Sequence, residues 1–111
     1  MAKRILQVNF KFPESMDLNS PKGQEIKEEG LQHTADFPGL EWKIWIRNEE
    51  RGEFGGIYLF EDEESLQNYL DGETMGQVRT MRDVSVKSFA IMEEPTRITD
   101  GPVELHPAQM A

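Results

Sequence analysis

With 111 residues, the chain is long enough to bury one real core and too short for two, so a single layered domain is expected to account for most of it. Twelve Lys and Arg stand against twenty-one Asp and Glu, a formal charge of −9, which argues against nucleic acid or an anionic membrane as partner, because both are gripped by clustered cations. There is no cysteine, which excludes a disulfide framework, a thiolate nucleophile and a thiolate metal site, and makes the cytoplasm the expected location.

The opening MAKRILQVNFKF has a basic start but a broken apolar run, too short and too polar for a signal peptide or a membrane span. Within it Leu6, Val8, Phe10 and Phe12 alternate with Gln7, Asn9 and Lys11, the period of a half-buried strand that Pro13 closes. Ser20-Pro21 supplies a helix N-cap and a first-turn proline, predicting a helix to about Asp36 with Ile26, Gly30, His33 and Phe37 as its inward stripe and Leu31 beside it. Pro38-Gly39 ends that segment. Residues 40–47 and 54–61 read as two strands that pair antiparallel through the polar connection NEERGE. Asp62 then caps a second helix, with Leu66, Tyr69 and Leu70 facing inward and Gly72 as its stop. A short amphipathic piece follows around Met75, Val78 and Met81, and residues 84–92 read as the last strand. The expected domain is therefore 1–95, followed by a C-terminal tail, 96–111, rich in structure breakers and loose or laid over a neighbour. Strand, helix, strand, strand, helix, strand is the split βαβ order of the ferredoxin-like fold: an α+β domain whose four-stranded antiparallel sheet carries its helices on one face.

The stretch GLEWKIWIRN raises the question of faces. Trp42 and Trp45 differ by an odd number of positions, so on a regular strand they point to opposite sides. Trp42 travels with Leu40, Ile44 and Ile46, an apolar row suited to the helix side, which leaves Trp45 on the open face with Glu41, Lys43 and Arg47. The third strand is apolar on both sides, and the aliphatic row Ile57 and Leu59 is assigned to the helices, the aromatic row Phe54, Tyr58 and Phe60 to the open face. An open face carrying that many aromatics calls for cover, and a second copy of the chain is the expected partner. Two sheets meeting this way would enclose a pocket walled by aromatics and dotted with Gln7, Asn9, Lys43 and Arg47.

The pieces PGLEWKIW and GGIYLFEDEESLQNYL, with Trp42-Lys43, Trp45, Gly55-Gly56, Tyr58, Asp62 and Tyr69-Leu70 at their spacing, closely resemble the YdhR-like monooxygenases of the dimeric α+β barrel superfamily. The likeness runs from the first strand through Glu94-Pro95 and Ile98. It implies a ferredoxin-like protomer, a homodimer with a pocket at each sheet, and cofactor-free oxygenation of a small aromatic or polyketide-like compound by molecular oxygen.

Such chemistry needs an ionisable, electron-rich substrate and fixed donors for the developing anion, and no metal or flavin. Asn9 and the Trp45 indole are the candidate donors, Tyr58 the candidate orienting or proton-relaying group, and Lys43 and Arg47 the candidate counter-charges, with Gln7 and Phe60 completing the binding surface. Against this stand plainer roles: Trp45 and Tyr58 as interface aromatics, Lys43 and Arg47 as solvated rim charges. His33 on a helix stripe is more simply a packed side chain, and His106 in the tail carries no role. No metal-ligand spacing, serine triad or phosphate loop is present, and Gly55-Gly56 precedes a strand, where it would permit a bulge or a close approach by another chain. The same pocket would also suit a non-catalytic binding module, or an isomerase or cyclase.

Overall fold

The computed structural model describes residues 2–12 and 21–104, without the side chains of residues 22–24, 26, 27, 29 and 30. Its elements are β1 (Arg4–Lys11), α1 (Pro21–Ala35), β2 (Leu40–Asn48), β3 (Glu53–Phe60), α2 (Glu63–Leu70), α3 (Glu73–Val78), β4 (Arg82–Ala90) and α4 (Glu93–Ile98), with a 3-10 turn at Glu49–Arg51 between β2 and β3. The strands form one sheet in the order β2-β3-β1-β4, every neighbouring pair antiparallel. This is the ferredoxin-like α+β arrangement that the sequence pattern predicts. Ser20, the Ile26 side chain, the facing of Gly30, and His106 lie outside what the structure describes.

Local chemistry fixes the element ends. Asp62 is extended and its Oδ1 accepts the Ser65 backbone N–H at 2.8 Å, capping α2. Gly52 closes the β2–β3 connection in the left-handed region (φ 63°), and Gly39 does so at the entry to β2 (φ 88°). A Cβ on Gly39 would lie 2.1 Å from the Ser65 hydroxyl oxygen, while its carbonyl accepts the Glu61 N–H at 2.8 Å. That glycine holds β2, β3 and the start of α2 together. Pro95, read from sequence as the last residue of the domain, stands in the first turn of α4, where its missing N–H has no helical partner to lose.

The core consists of Leu6 and Val8 from β1, Tyr58 and Phe60 from β3, Leu66 and Tyr69 from α2, and Met75 from α3, with Phe10, Phe37, Leu40, Leu70 and Val78 packed against it. Phe37 meets Tyr69 edge to face at 5.0 Å between centroids. The aromatic row of β3 is therefore beneath the helices, and the aliphatic row, Ile57 and Leu59, is on the other side. This reverses the assignment drawn from sequence. The row that the sequence places on the helix side failed because residue size does not distinguish two apolar faces, and here the rings of Tyr58 and Phe60 fill the larger gap under α2.

The two tryptophans are reversed as well, for a geometric reason. Leu40 pairs with Phe60 but Trp42 pairs with Leu59, so the register shifts and Glu41 is the extra residue of a β-bulge. Leu40 keeps to the helix side. Past the bulge, Lys43 stands beside Tyr58 and Trp45 beside Gly56 on that same side, while Trp42, Ile44 and Ile46 turn to the open side with Leu59, Ile57 and Gly55. Parity counted without the bulge gives the opposite answer for everything after residue 41.

The open side carries Ile5, Gln7, Asn9 and Lys11 from β1, and Lys87 and Phe89 opposite Gln7 and Ile5. Ile44 and Phe89 are exposed there, as are Met92 and Ile98 around α4, whereas Leu59 is buried. Beyond α4 the chain returns to the β2 edge, where the Pro102 carbonyl accepts the Trp42 indole N–H at 2.7 Å. Among the described residues, no helix is long and apolar enough to cross a membrane.

Candidate functional site

A cleft of about 680 Å³ opens between α1 and β2, on the helix side of the sheet. Leu31, Gln32, Thr34 and Glu28 of α1 form one wall, Lys43 and Trp45 of β2 the other, and Glu41 and Trp42 at the bulge complete the rim. This is a different place from the open-face pocket expected from the sequence.

Lys43 dominates the inner end. Its Nζ lies 3.2 Å from the centroid of the Trp45 ring and 4.3 Å from that of Tyr58, so the amine is held between two aromatic faces. The side chain reaches this position by crossing β3 over Gly56, where a Cβ would come within 2.3 Å of the lysine Cε. Gly56 thus admits a side chain of its own chain. No register shift occurs at Gly55-Gly56, and a Cβ on Gly55 would meet the Val8 carbonyl oxygen at 2.0 Å. The bulge expected at this glycine pair is at Glu41 instead, and the close approach comes from Lys43 and β1. Burial beside the two rings lowers the Lys43 pKa from its ordinary 10.5 to about 7, since desolvation penalises the ammonium.

Behind the lysine runs a chain of hydroxyls. Tyr58 and Tyr69 share a hydrogen bond of 3.1 Å, and Tyr69 and Thr34 a longer one of 3.4 Å. Desolvation first, then the neighbouring Tyr69, push the Tyr58 pKa well above that of an ordinary phenol. Tyr58 therefore stays protonated and serves as a hydrogen-bonding group rather than as an ionising relay. Tyr69 was legible as an inward-facing residue of α2, and a buried tyrosine demands a hydroxyl partner. Thr34, buried where His33 was expected to point inward, gave no advance signal; His33 is exposed and contacts the Phe37 ring at 6.0 Å.

Of the seven residues singled out from sequence, five share one face: Lys43, Trp45 and Arg47 of β2, and Tyr58 and Phe60 of β3. Phe60 is buried core behind the cleft, stacked on Tyr58 at 5.9 Å. Arg47 is exposed and pairs with Glu49 at 3.2 Å, away from the lysine. Gln7 and Asn9 belong to the opposite side of the sheet and cannot act on the same bound molecule. The Asn9 Oδ1 is buried there with no hydrogen-bond partner among the described residues. Among those residues, no three His, Asp or Glu side chains gather in a way that would hold a metal.

The family model described as "Putative mono-oxygenase ydhR" matches residues 5–102. The chain belongs to this family. No curated protein matches it in sequence. Solved structures repeat the fold of this YdhR-family chain at low identity. A protein of unknown function from Nitrosomonas europaea, NE2512, is 16% identical over 98% of both chains, with a TM-score of 0.63. Rv0793 from Mycobacterium tuberculosis is 15% identical over 84% of this chain and 98% of its own, also at 0.63. SnoaB from Streptomyces nogalater, described as a cofactor-independent oxygenase, is 11% identical over 84% of this chain and 96% of its own, at 0.61.

Proposed function

We propose that this protein is a cofactor-independent monooxygenase that oxidises a small aromatic or polyketide-like compound in the cleft between α1 and β2. The observation that carries the reading is the Lys43 amine set between the Trp45 and Tyr58 rings at the inner end of a cleft, in a chain of a mono-oxygenase family. The likeness in fold to an oxygenase described as cofactor-independent supports it. The reaction balances without an external reductant: a CH₂ carbon of an anthrone-like substrate becomes C=O with one oxygen atom of O₂, and the other atom leaves as water with both hydrogens of that carbon. The site's task is to bind a flat aromatic acid, stabilise its anion and keep water away. Trp45 offers a ring for stacking, and Lys43 a charge beside the anion.

The form we propose is a cytoplasmic homodimer. Its interface would be the open side, where Ile44 and Phe89 are exposed around the partly covered polar groups Gln7 and Asn9, an apolar surface of the kind closed dimers bury. Asn9, whose Oδ1 has no partner among the described residues, would then find its hydrogen bond at that interface instead of acting on substrate.

The test is oxygen uptake by purified protein against a panel of anthrones, quinols and polycyclic phenols, with Trp45→Ala in parallel. Uptake coupled to a carbonyl product and lost in the variant supports the reading. Saturable binding of a panel member with no uptake makes the protein a binding module, and product without uptake makes it an isomerase or cyclase.

A further inference from the structure

Lys43 is the one feature of the cleft whose geometry asks for more than stacking and charge. From β3 it faces Tyr58, with Tyr69 of α2 behind, both hydroxyls bonded to each other. From β2 it faces Trp45, and Glu41 at the rim is engaged by Lys3. From α1, Glu28 and Gln32 line the cleft. Among the described residues, no carboxylate stands within ion-pair distance of the Lys43 amine. A lysine drawn over a glycine into an aromatic slot, with no carboxylate paired to it among the described residues, is better suited to the neutral amine than to the ammonium.

Resting on the reading of this cleft as the reaction site, we propose that Lys43 is the group that takes the substrate's proton, and that the cleft selects phenols and enolisable ketones over aromatics lacking an acidic proton. The step is a simple transfer: the substrate O–H or activated C–H bond breaks, its proton joins the Nζ lone pair, and the electron pair stays on the substrate as phenolate or enolate. The new ammonium is stabilised by the faces of Trp45 and Tyr58 and by the anion it has just created. The substrate itself supplies the counter-ion. The depressed pKa agrees with this, because near neutrality much of the amine is free base. Gly56 acts as a positioning residue, since any side chain there displaces the lysine end from the slot.

The probe is 2-naphthol, whose absorbance reports ionisation and which is still mostly neutral in water at about pH 8, where a phenol keeps its proton. Binding is followed by absorbance and by calorimetry in buffers of different ionisation enthalpy, which counts protons released. With the native protein, the bound naphthol is expected to be ionised with almost no proton reaching the buffer, because Lys43 keeps it. Lys43→Arg holds the anion but cannot accept a proton, so close to one proton per naphthol should appear in the buffer. Lys43→Met should bind the naphthol neutral. Gly56→Ala, whose clash is chiefly with the flexible end of a lysine, should fold normally yet lower the ratio of ionised to neutral naphthol about tenfold, the effect of the bound anion losing about one pKa unit of stabilisation when the ammonium is pushed away from it. Naphthol that stays neutral on the native protein, naphthol that does not bind, or equal proton release from the native protein and Lys43→Arg each overturns the proposal. Oxygen uptake measured in the same samples tests the oxygenase reading separately. Proton capture without uptake would keep Lys43 as the base and remove the oxygenase; uptake that survives Lys43→Met within tenfold, against the loss of about a hundredfold expected for a general base, would do the reverse.

Discussion

Replacing Tyr69 by Phe removes one oxygen atom and leaves the ring's packing in place. That oxygen bridges the Tyr58 hydroxyl at 3.1 Å and the Thr34 hydroxyl at 3.4 Å, and all three residues are at most 3% exposed. A buried hydrogen bond contributes about 1 kcal/mol net, but a partner stranded without water costs about 1–3 kcal/mol. The longer Thr34 contact counts for less, so Tyr69→Phe is expected to destabilise by about 2–3 kcal/mol. Tyr58→Phe strands only one side of Tyr69, which keeps Thr34, and should cost about 1 kcal/mol. On the Tyr69→Phe background, however, Tyr58→Phe removes a hydroxyl that has already lost its partner and should cost nothing or restore stability. Equilibrium urea unfolding of the four proteins, at one fixed protein concentration, measures this cycle. Additive effects, within about 0.5 kcal/mol, would show that the hydroxyls do not work as a connected network and would refute the reasoning.

Trp45→Ala is expected to leave stability within about 1 kcal/mol, because half the ring is exposed, while abolishing ligand binding. Trp42→Ala, read from sequence as a core truncation, should instead cost about 1–3 kcal/mol through partial burial and loss of its bond to Pro102, with faster hydrogen exchange around residues 101–104 as the sign of a released segment. Lys43 binds its proton less readily when folded (about 7) than when unfolded (10.5), so the unfolded chain holds the extra proton between those values. Stability should therefore rise as pH climbs from about 7 toward 10.5, and denaturant midpoints of Lys43→Met should lack that rise. Gly39→Ala puts a Cβ against Ser65 at a positive φ, and thermal unfolding should show a loss on the order of 2 kcal/mol or more.

Much of this architecture can be read in one dimension. The alternation of β1, the Asp62 cap and the turn glycines specify element type through local chemistry, and their order specifies the fold. The grouping of Lys43, Trp45, Tyr58 and Phe60 on one face was also legible, because each pair obeys the two-residue period within its own strand. Which side of the sheet that face occupies was not. It depends on a bulge at Glu41 that no glycine or proline announces, and on the volume beneath α2, which two tyrosines and a phenylalanine fill better than Ile57 and Leu59 do. Gln7 and Asn9 were assigned to the open side correctly, but the cleft lies on the other side of the sheet, out of their reach.

Removing a residue from a strand usually turns every later side chain to the wrong side of its sheet. Glu41 is a place where it should not. Leu40 and Trp42 already sit opposite the adjacent residues Phe60 and Leu59, so deleting Glu41 would splice them into a regular pairing with the lysine and both tryptophans facing as before. Only the Lys3 ion pair and some local twist would be lost. The strand that carries Lys43 thus holds a spare length unit at its entrance, and related chains could differ by one residue there while presenting the same side chains to the same cleft.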